Sequence, residues 1–386
     1  MPINRRTFLL TAASTAGAAV LAACGASPSP ATATVAVAST PVSRPASTVQ
    51  PMATAGSTAA SATTAPSVAV SATTGTGATV APASVGGKAA VVPVKVAFSY
   101  IPNVQFAPFY VADANARFSA EGVQPTYDYG TTTDFMTLVA KGERDFLNAS
   151  GDEVVLARAN GLPVVYVMAI YQQYPVSVFA PKGKGLTDPG ALTKLRIGLP
   201  GFFGATYIGY KAILYANKID EKAVNAQDIG FTQVTSVMAG KVDAAVGYAN
   251  NEPVQLAAMG TPIDQLRVSD IYNLPSAGIV TNEKLLRDRP EVVRSFLRGL
   301  LAGMRDTQSD PKAAFATVLK IVPEAAKSAD IQQQVLLATT QLAGEPAKYG
   351  AIDAALWPRA VTFMKDTGLL KGDPKPEEMY STKYLP

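Results

Sequence analysis

Four short runs hold most of the residues of this chain that can do chemistry. Tyr100-Ile101-Pro102-Asn103 follows an apolar run, with Phe106 and Tyr110 on the helical pattern behind it. Ser150-Gly151-Asp152-Glu153 ends a short strand and opens a helix. Gly201-Phe202-Phe203-Gly204-Ala205-Thr206-Tyr207 is a glycine-flanked turn entering another helix, and Tyr248-Ala249-Asn250-Asn251-Glu252 ends a further strand. Candidate ring faces are therefore Tyr100, Phe106, Tyr110, Phe203, Tyr207 and Tyr248. Candidate polar contacts are Asn103, Asp152, Glu153, Thr206, Asn250 and Glu252, with Tyr174 from the polar run Tyr171-Gln172-Gln173-Tyr174.

Offset aromatic faces contribute about 0.5–1.5 kcal/mol per pair beyond the area they bury. Two or three of them, with several hydrogen bonds, support sub-micromolar binding of a flat, polar-edged, uncharged heterocycle. An isoalloxazine with a ribityl tail suits this set, and a smaller aminopyrimidine also fits. The helix start at Gly204 can present free N–H groups to an anion or a carbonyl oxygen. A phosphate or sulfonate normally recruits Arg or Lys as well, and none lies between Arg196 and Lys211, so a neutral carbonyl is favoured there. Each candidate also has a plainer role open to it. Phe106, Phe109 and Tyr110 can be core, Ser150 a helix cap, Glu153 a first-turn acid stabilised by the helix dipole, and the run 171–174 merely solvated.

The chain has no histidine and one cysteine, Cys24. Ser-His-Asp and Cys-His catalysis, a Cys/His zinc site and a disulfide framework are all excluded. The net charge is +4, two units of it from Arg5 and Arg6, and no Lys/Arg cluster points to nucleic acid.

Periodicity supplies the elements that must position these runs. A strand over 94–100, a helix from Phe106 to Phe118 and a strand over 123–129 form a β-α-β unit. Helix 132–141, strand 145–148, helix 152–160 and strand 163–170 continue it. A second run holds strand 195–199, helix 204–217, helix 235–240, strand 244–248 and helix 252–259. Residues 276–281 then read as a returning strand, followed by helices. This α/β alternation predicts mainly parallel sheets covered by helices on both faces. Roughly 300 residues exceed one ordinary core. We therefore expect a first lobe over 91–180, a second over 181–275, and a return to the first over 276–386, with a ligand cleft between lobes at strand ends and helix starts.

The chain opens with Asn4-Arg5-Arg6-Thr7-Phe8-Leu9-Leu10 and an apolar run closing at Leu21-Ala22-Ala23-Cys24-Gly25, a twin-arginine-type export signal over 1–23 ending in a lipobox. The run is too short and too rich in Ala, Thr and Ser for a membrane span. Cys24 is the expected diacylglycerol attachment point, anchoring the protein on the extracytoplasmic face of the cell membrane. The stretch 24–90 is Ala/Ser/Thr/Pro-rich, with no aromatic residue, and reads as a disordered tether. About 60 flexible residues reach roughly 40–45 Å.

Val96-Ala97-Phe98-Ser99-Tyr100-Ile101-Pro102-Asn103, with Phe106-Ala107-Pro108-Phe109-Tyr110-Val111-Ala112 and Phe118-x-x-Glu121-Gly122, resembles the opening of solute-binding proteins related to the thiamine-pyrimidine and sulfonate binders. Together with Gly201 to Gly209 it looks most like their riboflavin-binding branch. The resemblance covers essentially all of 91–386. It implies a two-lobed periplasmic-binding-protein fold of type II with a closing hinge, and delivery of a small heteroaromatic solute to the permease of an ABC importer. The resemblance implies riboflavin as the solute, carried as cargo with no cofactor, and a monomer is expected. A thiamine-pyrimidine precursor stands next, then an alkylsulfonate, which the missing arginines disfavour. A eukaryotic relation makes a pyrimidine from its own histidine in an iron-dependent reaction, and this chain has no histidine to give. A sensory or adhesive surface protein of the same fold is a further alternative.

Overall fold

A computed structural model describes residues 91–386; the expected export signal, the lipobox cysteine Cys24 and the tether lie outside the described residues. Two five-stranded sheets carry the fold. The first begins with β1 (Val92–Phe98), β2 (Val123–Tyr129), β3 (Phe146–Ser150) and β4 (Val164–Ala169), accompanied by α1 (Ala107–Ala114), α2 (Arg117–Ala120), α3 (Thr132–Ala140) and α4 (Gly151–Ala159). The second holds β5 (Val176–Pro181), β6 (Arg196–Leu199), β7 (Asn225–Asp228), β8 (Ala244–Tyr248) and β9 (Ile263–Arg267), with α5 (Gly204–Ala216), α6 (Gln233–Met238), α7 (Glu252–Ala258) and α8 (Val268–Tyr272). β10 (Ala277–Asn282) returns to the first sheet. It is followed by α9 (Glu283–Asp288), α10 (Pro290–Ser309), α11 (Pro311–Ile321), α12 (Ala329–Ala343) and α13 (Leu356–Asp366).

The strand orders are β2-β1-β3-β10-β4 and β7-β6-β8-β5-β9. In each sheet the first three strands pair in parallel, while the fourth runs antiparallel to both neighbours. Sheets expected to be mainly parallel are therefore mixed, because the fourth strand arrives directly from a crossing between lobes rather than through a helical crossover. The crossing also comes earlier than the expected boundary at 180/181. Val176–Pro181 already pairs with β8 and β9 in the second sheet, a choice that apolar patterning does not encode. The edge strands β7 and β9, Asn-Ala-Gln-Asp and Ile-Asp-Gln-Leu-Arg, have no buried residue and so no apolar run to reveal them.

One helix expected from Phe106 to Phe118 is broken. Asn103 accepts from the Gln105 N–H at 3.0 Å and caps a 3-10 turn, α1 follows, and Ala116 in the left-handed region (φ 56°) separates α1 from α2. Behind this break Phe98 stacks on Tyr129 at 5.4 Å and meets the Phe109 edge at 4.8 Å, fixing the end of β1 beside the cleft. A second apolar cluster runs from Val154 and Trp357 through Tyr174 to Ile208 and Leu214, so the hinge side is continuous core across both lobes.

α10 buries Val293, Phe296, Leu297, Leu300, Leu301 and Met304, a helical stripe. Gly303 lets it lie against α1: a Cβ there would strike the Pro108 carbonyl and fall 2.5 Å from the Ala112 Cβ. Ala improves helix propensity by roughly 1 kcal/mol over Gly, but overpacking typically costs about 1–3 kcal/mol, so the clash outweighs the gain. Gly303→Ala is expected to lower stability by roughly 1–2 kcal/mol in urea unfolding; an unchanged midpoint would show that the two helices can part at no cost.

Candidate functional site

The C-terminal ends of the parallel strands in both sheets converge on one cleft. From the first lobe it is lined by Ser99, Tyr100, Gln105 and Phe106 after β1, Thr131 and Thr132 after β2, Asn148 on β3, and Glu153 on α4. The second lobe supplies Phe203 to Thr206 after β6, Phe231 and Gln233 after β7, and Tyr248, Asn251 and Glu252 after β8, while Tyr171 comes from the crossing. The cleft holds about 890 Å³ of atom-free space, part of it open to solvent. Tyr100 and Phe231 meet edge to face across it at 5.4 Å. Among the described residues no Lys or Arg lines it, no group of acidic residues has metal-binding geometry, and no helix is long and apolar enough to cross a membrane.

Local sequence explains the placements. Gly204 takes a left-handed φ of +69° that starts α5 and turns Phe203, 52% exposed, toward the cleft mouth. Ser150 N–H donates to Glu153 Oε2 at 3.0 Å, holding that carboxylate at the start of α4. Glu252 accepts from the Tyr248 N–H at 2.9 Å and from the Asn251 amide at 3.1 Å. Gly247 leaves room for this, since a Cβ there would lie 2.6 Å from Glu252 Oε2.

The electrostatics are dominated by burial, which outweighs the hydrogen bonds the acids accept. Glu252 is pushed up to about 7 by desolvation, opposed by its own backbone N–H, the Tyr248 N–H and the Asn251 amide. Burial also raises Glu153. Asp152 is raised well above the usual carboxylate range by burial and by the neighbouring Glu153 charge. Tyr100 is raised by burial and by the charge of Glu252.

Of the expected site residues, Tyr100, Phe106, Glu153, Phe203, Thr206, Tyr248 and Glu252 come together around the cleft. Six do not. Asn103 is a cap, and Tyr110 is fully buried with its hydroxyl 2.7 Å from that of Tyr129. Tyr207 faces away, donating to Glu221 Oε1 at 2.9 Å beside Lys211, because its position on α5 points it outward. Asn250 donates to Gln105 Oε1 at 3.0 Å and Thr339 Oγ1 at 2.8 Å, tying the second lobe to the first. The Tyr174 hydroxyl lies 3.0 Å from Asp152 Oδ2 and 2.8 Å from the Ala205 carbonyl. One hydroxyl has one proton, so both contacts are filled when the Asp152 carboxyl is protonated, donating to Tyr174 while Tyr174 donates to Ala205.

The sequence reading missed Ser99, Gln105, Thr131, Thr132, Asn148, Phe231 and Gln233 as cleft residues, while Tyr171 lines the cleft from the run 171–174 at the lobe crossing. Thr131 and Thr132 follow a recognisable strand and were findable by the strand-end rule. Phe231 and Gln233 follow the polar edge strand β7, which gave no signal.

Residues 103–314 match the family model described as NMT1/THI5 like. A riboflavin-binding protein (RibY) of Chloroflexus aurantiacus is 39% identical over 301 residues, 76% of this chain and 86% of that protein. A formylaminopyrimidine-binding protein of Halalkalibacterium halodurans is 26% identical over 297 residues, 75% of this chain and 89% of that protein. Among solved structures, the alkanesulfonate-binding protein SsuA of Xanthomonas axonopodis pv. citri, bound to MOPS, superposes with a TM-score of 0.58 at 12% identity, covering 77% of this chain and 99% of its own. That likeness establishes the two-lobed periplasmic-binding-protein fold.

The raised Glu252 makes stability depend on pH. Its neutral form is favoured in the folded state, so its contribution is fully present below the unfolded value near 4.5 and is lost as pH rises toward about 7. Over that window its share of the decline is on the order of 3 kcal/mol. Glu252→Gln is expected to remove that share and to be more stable than the parent near pH 8, measured by urea unfolding across a pH series; a parent stability that climbs between pH 5 and 7 by the same amount in both proteins would refute it.

Proposed function

This chain belongs to the NMT1/THI5 like family, and on that premise we propose that it is the solute-binding subunit of an ABC importer, binding riboflavin and handing it to a membrane permease. The observation that carries the reading is the cleft itself, with aromatic faces from both lobes, amide and hydroxyl groups between them, and no cation among the lining residues. That set accommodates a flat, uncharged heterocycle with hydrogen-bonding edges and a polyol tail. The 39% identity to a riboflavin-binding protein supports the same solute. An aminopyrimidine is the second reading, favoured by the smaller likeness to a formylaminopyrimidine binder. Pyrimidine synthesis of the kind the family resemblance also implies would consume a histidine, and the chain has none.

In this proposal Tyr100, Phe106, Phe203 and Tyr248 supply ring faces, and Glu153, Thr206 and Glu252 accept from or donate to the solute's polar edge. The protein acts as a monomer on the extracytoplasmic face of the cell membrane, held there by lipid on Cys24. What supports anchoring is the run Leu21-Ala22-Ala23-Cys24 behind the paired arginines.

Titration with riboflavin, an aminopyrimidine and an alkylsulfonate distinguishes the solutes. Bound flavin is expected to lose most of its fluorescence through stacking on phenol rings, and Tyr248→Ala to weaken binding by roughly 1–3 kcal/mol. Tyr207→Phe, altering a residue that faces away from the cleft, is expected to leave affinity within about twofold. Tight binding of the pyrimidine or the sulfonate with none of riboflavin would overturn the solute assignment. Cys24→Ala is expected to release the protein from membranes with ligand binding intact, and a variant still fully retained in the membrane fraction would end the lipoprotein proposal.

A further inference from the structure

The cleft is acidic on both sides. Glu153 enters from the first lobe and Glu252 from the second, only 7% and 6% exposed, and no Lys or Arg among the lining residues offsets them. Each carboxylate is held from the protein side, Glu153 by the Ser150 N–H and Glu252 by the Tyr248 N–H and the Asn251 amide. Backbone donors that an anionic solute would use at these strand ends are therefore already taken by the chain's own acids. A site built for phosphate or sulfonate does the reverse, leaving N–H groups open and adding a guanidinium.

We infer that Glu153 and Glu252 make the cleft selective for the unphosphorylated solute, admitting riboflavin and turning away its 5′-phosphate monoester. This rests on the riboflavin reading for the identity of the solute, and on the two carboxylates for the selectivity. A phosphate monoester carries about −1.5 to −2 charges near neutral pH. One unit charge held roughly 10 Å from one carboxylate, at an effective dielectric near 20, weakens binding on the order of tenfold. Two carboxylates and nearly two charges make about three to four such pairs, so about 100-fold is a lower bound on the discrimination when both acids are ionised.

The groups that face these acids leave the discrimination tunable by pH. Around Glu153 stand Asp152, Tyr174 and Tyr248, and around Glu252 stands Tyr100, none of them cationic. Burial raises both glutamates, Glu252 to about 7, so acidification removes the negative charge and relaxes the exclusion.

The test is equilibrium binding of riboflavin and riboflavin 5′-phosphate to the full chain near pH 8 and near pH 5.5, with Glu252→Gln and Glu153→Gln alongside. Expected is a preference for riboflavin of at least about 100-fold near pH 8, falling at least about fivefold in Glu252→Gln at that pH, and shrinking toward pH 5.5 by more in the parent than in Glu252→Gln, since the phosphate's own second ionisation at about 6 acts equally on both. If Glu153→Gln does not fold, Glu252→Gln and the pH series decide. Equal affinity for both flavins near pH 8, or a preference that neither pH nor Glu252→Gln alters, overturns the inference. Failure of riboflavin itself to bind would instead end the riboflavin reading. The same comparison is then made between a hydroxymethyl aminopyrimidine and its phosphate, with inorganic phosphate as a third probe. Rejection of both phosphates sustains the inference, and binding of either as tightly as the alcohol defeats it.

Discussion

In each sheet the fourth strand, β10 or β5, runs against both of its neighbours and is hydrogen-bonded on either side. Each is also the strand that leads directly from a crossing between lobes. The hinge is thus pinned inside both sheets rather than hung from their edges. Pinning it there turns the C-terminal ends of the three parallel strands in each lobe toward the same gap. The aromatic and polar loops at those ends have nowhere else to go, and a cleft lined from both sides is the consequence.

The polar groups near that gap divide between two tasks. The Asn250 amide donates to Gln105 and Thr339 across the lobes, and the Tyr174 hydroxyl lies between Asp152 Oδ2 and the Ala205 carbonyl, while the buried Asn250 Oδ1 and Asp152 Oδ1 have no partner. Hydrogen bonds of this kind contribute about 0.5–1.5 kcal/mol each in net terms, and breaking one strands a buried partner at larger cost. They tie the two lobes together beside the cleft. No cation offsets Glu153 or Glu252 among the cleft-lining residues, and their burial is a cost the fold carries into the ligand site. Buried acids left without cations belong to a site that meets donors, not anions.

Much of the first lobe was legible because its elements obey one-dimensional rules. β2 spans Val123–Tyr129, as its alternation predicts, and α4 begins where the Ser150 N–H donates to the Glu153 carboxylate. The polar edge strands β7 and β9 were not legible, since a strand with no buried face leaves no periodic trace. The same blindness hid Phe231 and Gln233. Tyr110, Tyr207 and Asn250 were misassigned for another reason: their residue types suit a ligand equally well as they suit a core, an ion-pair neighbour or a tie between lobes, and type alone does not choose.

What the sequence determined by itself is the chemistry available and its neighbourhood. It contains no histidine, a single cysteine at Cys24, aromatic and acidic runs at strand ends, and an α/β order that must make two lobes. Those follow from composition and from contacts between residues near in the chain. Only the tertiary structure decided which side chain faces which lobe, that β5 joins the second sheet, and that Tyr174 and Asn250 hold the lobes while Tyr171 and Phe231 line the cleft. These outcomes depend on pairings between residues far apart in sequence, whose energies are set by burial and geometry rather than by local propensity.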